Sequence, residues 1–108
     1  MDPAKFEAAC DGIQESRKAL YEATENEILV REILKGREGE LLAIGKDGPI
    51  SGGNAEMRNG QLREATGPER ASLAKAEHER RFAVLALELA LDARRALEYI
   101  VRLEEISQ

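Results

Sequence analysis

The sequence predicts an all-α fold: two long antiparallel helices forming a helical hairpin or coiled coil, a short helix in the connecting region, and assembly into an oligomeric bundle. Three observations predict it. The ten residues Phe82 to Leu91, FAVLALELAL, carry one charge and no apolar period that singles out one helix face, and a helix that is apolar all round belongs inside a bundle or an oligomer. Between Pro3 and Lys35 there is no further proline, and Phe6, Ala9, Ile13, Leu20, Thr24 and Ile28 recur at helical spacing. Hydrophobic residues make up 43% of the chain and charged residues 34%, with no Trp, the composition of a long-helix protein rather than of one built around an aromatic-lined pocket.

The elements follow in chain order. Asp2 before Pro3 starts a helix over 3–35, because an Asp cap and an early proline deal with the unpaired amides of the first turn. Gly12 weakens that helix by about 1 kcal/mol relative to Ala. Residues 36–53, GREGELLAIGKDGPISGG, hold six of the nine glycines, so the helix is expected to end there. Leu41 to Ile44 could pack down as one turn before an irregular loop over 45–53. Asn54 then caps a short helix over 54–66 that stops at Gly67 and Pro68. Thr66 and Glu69 have capping-box spacing at the start of a helix over 68–107. On this last helix one heptad frame gathers Phe82, Leu85, Leu89, Ala96, Tyr99, Leu103 and Ile106, with Asp92 as the break. A second face carries Val84, Leu87, Leu91 and Val101. Two apolar faces need two partners and the first helix supplies one, so a homo-oligomer, dimer or larger, is expected to bury the rest.

Length and charge narrow the function classes. With 108 residues there is room for one domain, and a single domain is the expectation. A single Cys10 makes no intrachain disulfide, no apolar run approaches the roughly 18 residues of a membrane span, and MDPAKFEAA is no signal sequence. A cytoplasmic protein without a membrane partner is the expectation. Net charge is −5, and residues 1–34 hold four Lys/Arg against eight Asp/Glu. The acidity therefore sits in the first helix. No basic stripe is present, which disfavours a nucleic-acid polymer as partner but leaves room for a local anion pocket.

The inventory of chemical groups argues against catalysis. His78 is the only histidine, and neither Glu-x-x-His nor His-Glu-x-x-His occurs, so no metal site, metal enzyme or cofactor is expected. His78 reads as a surface or seam residue beside a carboxylate, and Cys10 as a small buried hydrophobe. Glu88 is the one charge in the apolar decad. It needs the bundle edge or an arginine from another helix or subunit, such as Arg17 or Arg31; the alternative is a polar site within the bundle.

The best candidate for a site is GPISGGNAEMRNGQL. Gly52 and Gly53 let the backbone come close to a ligand, and the amides opening the short helix present partial positive charge. Arg58 lies four residues after Asn54 and leans toward that end, with Gln61 one turn further on. Arg58 also falls between Ala55, Leu62 and Ala65, on the side that should face the bundle. The plainer reading is a glycine-rich connector with Arg58 tied to an acidic residue of the first helix. No nucleotide-loop motif is present.

The run G-x-N-x-x-x-R-x-x-Q-L, here Gly52 to Leu62 with Asn54, Arg58, Gln61 and Leu62 matching, resembles small coiled-coil proteins of tailed phages and prophages. Gly60 inside the short helix departs from that pattern. The resemblance implies a context, an accessory protein made inside an infected bacterium, and supplies no established activity to carry over. Together the readings give an expected function: a non-catalytic anti-defence protein that sequesters a small anionic, nucleotide-like ligand at Gly52, Gly53, Asn54, Arg58 and Gln61. The rival expectation is a helical adaptor or inhibitor that contacts a host protein through the acidic first helix. A structural or recombination accessory protein is a third.

Overall fold

The computed structural model describes residues 2–107. It is all-helical, with a pair of long helices: α1 (Pro3–Ile44), one turn of 3-10 helix (Gly45–Asp47), α2 (Ala55–Ala65) and α3 (Gly67–Ser107). Among the described residues there is no strand. Two compact units divide the chain, Met1–Thr24 with Glu79–Gln108, and Glu25–His78.

α1 opens as its sequence dictates, with the Asp2 Oδ1 accepting from the Ala4 amide at 3.0 Å. It does not end at Lys35. The helix continues through Gly36 and Gly39 to Ile44, and the connector shrinks accordingly. Two glycines cost the helix about 1 kcal/mol each, but Leu34 and Leu41, at 6% and 3% exposure, bury large side chains on either side of them. Packing of an apolar face outweighs propensity here. The stop comes at Gly45, whose φ of +76° is left-handed backbone that suits glycine. A Cβ at Gly12, Gly36 or Gly39 would meet nothing within 4 Å. Gly36→Ala and Gly39→Ala should therefore each raise stability by about 1 kcal/mol in urea titration.

The inward stripe of α1 keeps a period of seven, with Ile13 buried in the first unit and Glu27, Leu34 and Leu41 buried in the second. Ile28, expected on that stripe, is 47% exposed, and Glu27 takes the inward position at 8%. The strict heptad step from Ile13 through Leu20 leads to Glu27, not to Ile28. The Glu27 carboxylate accepts from Arg31 Nη2 at 3.0 Å, which makes its burial tolerable. In the second unit α1 and α3 are joined by three ion pairs: Arg31 with Glu77 at 3.5 Å, Arg37 with Glu69 at 3.9 Å, and Glu38 with Arg70 at 3.9 Å.

The join between α2 and α3 departs from a capping box. Thr66 is fully buried, its hydroxyl donating back to the Leu62 carbonyl at 2.7 Å and accepting from Arg70 Nε at 3.0 Å. Glu69 turns to Arg37 instead of back to the cap. The Thr66 amide also bonds the Leu62 carbonyl, and the Arg70 amide the Thr66 carbonyl, so helical hydrogen bonding passes through the join. Gly67 and Pro68 then occupy the first turn of α3, where a missing amide costs nothing.

On α3 the two apolar faces foreseen in the sequence have different fates. Ala76 is buried in the second unit and Ala83 in the first; in the first unit Leu87, Ala90, Leu97 and Val101 continue the same face half-buried. The face of Phe82, Leu85, Leu89, Tyr99, Leu103 and Ile106 is exposed. The inward seam thus relies on alanine where burial is deepest, and a row of bulky residues points outward.

Candidate anion site at the loop

The loop between α1 and α2 is built around one buried side chain. Ile50, at 5% exposure, anchors the segment after the Gly45–Asp47 turn. Two bonds then clamp the chain onto α2. The Gly52 amide donates to Gln61 Oε1 at 2.7 Å, and Arg58 Nη1 donates to the Gly52 carbonyl at 3.2 Å. The approach is close enough that a Cβ on Gly52 would stand 2.7 Å from the Met57 Cβ and 3.0 Å from the Arg58 amide nitrogen. Glycine is required at 52 because α2 itself comes near.

α2 begins as foreseen. Asn54 is extended and its side chain accepts from the Met57 amide at 2.8 Å, leaving the partial positive charge of the helix start at the loop. Beside it lies an open cleft of about 380 Å³, lined among others by Lys46, Ser51, Gly52, Gly53 and Arg58, with Leu42 and Ile50 as its apolar floor. That volume is at the lower end for small-ligand pockets.

Of the five residues expected at the site, Gly52, Gly53 and Arg58 line the cleft. Asn54 serves as the helix cap, and Gln61 braces the loop from behind. Arg58 is exposed rather than facing inward, and it donates to the Gly52 carbonyl rather than to a carboxylate of α1. Lys46 and Ser51 also line the cleft, although neither residue type nor spacing marks them in the sequence. Lys46 enters because α1 runs nine residues further than its glycines suggested, so that the Gly45–Asp47 turn stands over the cleft.

No family model, curated protein or solved structure matches this chain. The site therefore rests on its own geometry.

The remaining candidates from the sequence fall elsewhere. Cys10 is exposed, not a buried hydrophobe, because the heptad step turns Ala9 and Ile13 inward and leaves Cys10 beside them. His78 is exposed. Glu88 is exposed as well, and Arg31, a possible partner by sequence, is engaged by Glu27 and Glu77. Burial therefore makes no demand for a partner at Glu88. Among the described residues no group of three or more His, Cys, Asp or Glu could hold a metal ion, and no helix is long and apolar enough to cross a membrane.

Proposed function

We propose that the protein is a non-catalytic accessory protein that sequesters a small anionic, nucleotide-like ligand in the cleft between Lys46 and Arg58. One observation carries this reading. In a chain of net charge −5, the described residues that line the cleft include two cations and no carboxylate. Arg58 offers five guanidinium donors and spends one on the Gly52 carbonyl. Lys46 adds a second charge and Ser51 a hydroxyl. Phosphate oxygens suit such a set. Leu42 and Ile50 supply the apolar contact that a base or sugar face would need.

The three ion pairs between α1 and α3 support the hairpin on which this reading rests: Arg31 meets Glu77, while the later Arg37 and Glu38 meet the earlier Glu69 and Arg70. The resemblance to phage coiled-coil proteins favours a nucleotide immune signal of the infected cell, met in the cytoplasm, as the ligand class. A sponge needs affinity alone.

Calorimetry against cyclic dinucleotides and ADP-ribose-type nucleotides tests the reading. One of them should bind, and Arg58→Ala or Lys46→Ala should each weaken binding on the order of tenfold, the worth of one charge-assisted contact. Silence across the panel, or full affinity in both variants, would overturn it. A second reading, an adaptor or inhibitor of a host protein, is favoured by the exposed row Glu22, Glu25, Leu29 and Glu32 on α1. Capture of one stoichiometric host protein that survives Arg58→Ala and is lost on charge reversal of those three glutamates would replace the first reading with the second.

A further inference from the structure

The outward face of α3 in the first unit is a second surface, independent of the loop cleft. Phe82 is 65% exposed, Leu89 60%, Tyr99 63% and Ile106 81%. With Leu85 and Leu103 they follow the steps 82, 85, 89, 92, 96, 99, 103, 106, an uninterrupted alternation of three and four. That is the a/d pattern of a helix that packs knobs into the holes of another helix. It runs for about 36 Å at 1.5 Å per residue, and apart from Asp92 and Ala96 every position on it carries a large, exposed apolar side chain. The opposite face of the same helix, which carries Ala83, is already buried within its own chain.

We infer that this face binds the same face of a second copy, with the two α3 helices antiparallel and related by a two-fold axis near residue 94. Three observations choose this occupant. The spacing of the stripe is the same in both directions, so reversal about 94 sets Phe82 against Ile106, Leu85 against Leu103, and Leu89 against Tyr99, each twice. That self-complementarity is what an isologous dimer requires. The flanking positions 81, 88, 95 and 102 hold Arg, Glu, Arg and Arg. In the same register the Glu88 of one copy comes within two residues of the Arg102 of the other, both exposed, while the two Arg95 side chains that meet near the axis are each neutralised by their own Asp92. Finally, Asp92 is the only charged residue on the stripe. A parallel pairing would stack Asp92 on Asp92, whereas the antiparallel one sets it against Ala96 near the axis, with its own Arg95 at 3.6 Å. A single polar position of this kind fixes orientation and register.

Sedimentation equilibrium of the whole chain tests the assignment. The wild type should weigh twice its 11.9 kDa chain mass, and Leu89→Glu should raise the dimer dissociation constant on the order of a hundredfold, since both copies lose a buried leucine, with the helical circular dichroism kept. Leu29→Glu, an exposed leucine on α1, is the control and should stay dimeric. Glu88→Arg and Arg102→Glu should each weaken the dimer, and the double exchange should restore it. In a Cys10→Ser background, Leu89→Cys mixed with Tyr99→Cys should oxidise to the mixed disulfide. A monomeric wild type, which would leave the stripe to a different protein, overturns the inference. So does a dimer indifferent to Leu89→Glu, or an efficient Leu89→Cys homodisulfide, the mark of parallel pairing.

Discussion

Leu41→Ala should lower the unfolding free energy by about 3 kcal/mol, while Leu42→Ala, one residue on, should cost less than about 1 kcal/mol. Urea or thermal unfolding reads the difference, and for a chain of this size the first change should move the midpoint on the order of 10 °C. The contrast comes from periodicity. Leu41 is 3% exposed and Leu42 52%, although both lie in a segment whose glycines argue for a loop. In an irregular connector the two leucines would have no reason to differ so sharply. In a helix that keeps its heptad from Ile13 to Leu41 they must. Equal losses would mean that α1 ends before Gly39, and the turn carrying Lys46 would then lose its foundation as well.

That segment also marks where the sequence was legible and where it was not. Local chemistry read correctly: Asp2 and Asn54 each accept the amide hydrogen bond that their cap positions require, and Gly67 with Pro68 marks the boundary between two helices. Local rules failed where tertiary packing competes with them. Gly36 and Gly39 were overridden by Leu34 and Leu41. Thr66 and Glu69 have the spacing of a capping box, but Arg70 and Arg37 offer each side chain a partner across the join or across the helix pair. On α3 the apolar pattern was seen, yet hydrophobicity alone ranks Phe82, Leu89 and Tyr99 above alanine as seam residues. Which face turns inward depends on how closely two helices approach, and that distance is not written in either helix separately. In the loop, residue type and spacing pick out Arg58, Gly52 and Gly53, which line the cleft. They do not pick out Lys46, because its position depends on the helix running past two glycines.

The buried alanines of α3 yield a prediction opposite in sign to the hydrophobic intuition. Ala76→Leu should destabilise the protein by about 1–3 kcal/mol, although it adds apolar atoms at a buried position and leaves helix propensity nearly unchanged. Ala76 is 2% exposed, and its neighbour Glu77 reaches Arg31 of α1 at 3.5 Å, so α1 comes close at this level. At 2% exposure a leucine there has little open space to enter. It must adopt a strained rotamer or push the helices apart, and separation would stretch the Arg31–Glu77 pair, whose arginine also bonds the buried carboxylate of Glu27. Ala74→Leu is the control: Ala74 is exposed on the same helix two residues away, and the change there should stay within about 0.5 kcal/mol. Equal unfolding midpoints for the two variants would mean that Ala76 faces a gap rather than a neighbouring helix. A loss confined to Ala76→Leu would show that a small side chain sets the spacing of the pair at this level, which is why alanine, and not one of the bulky residues of α3, holds the inward position there.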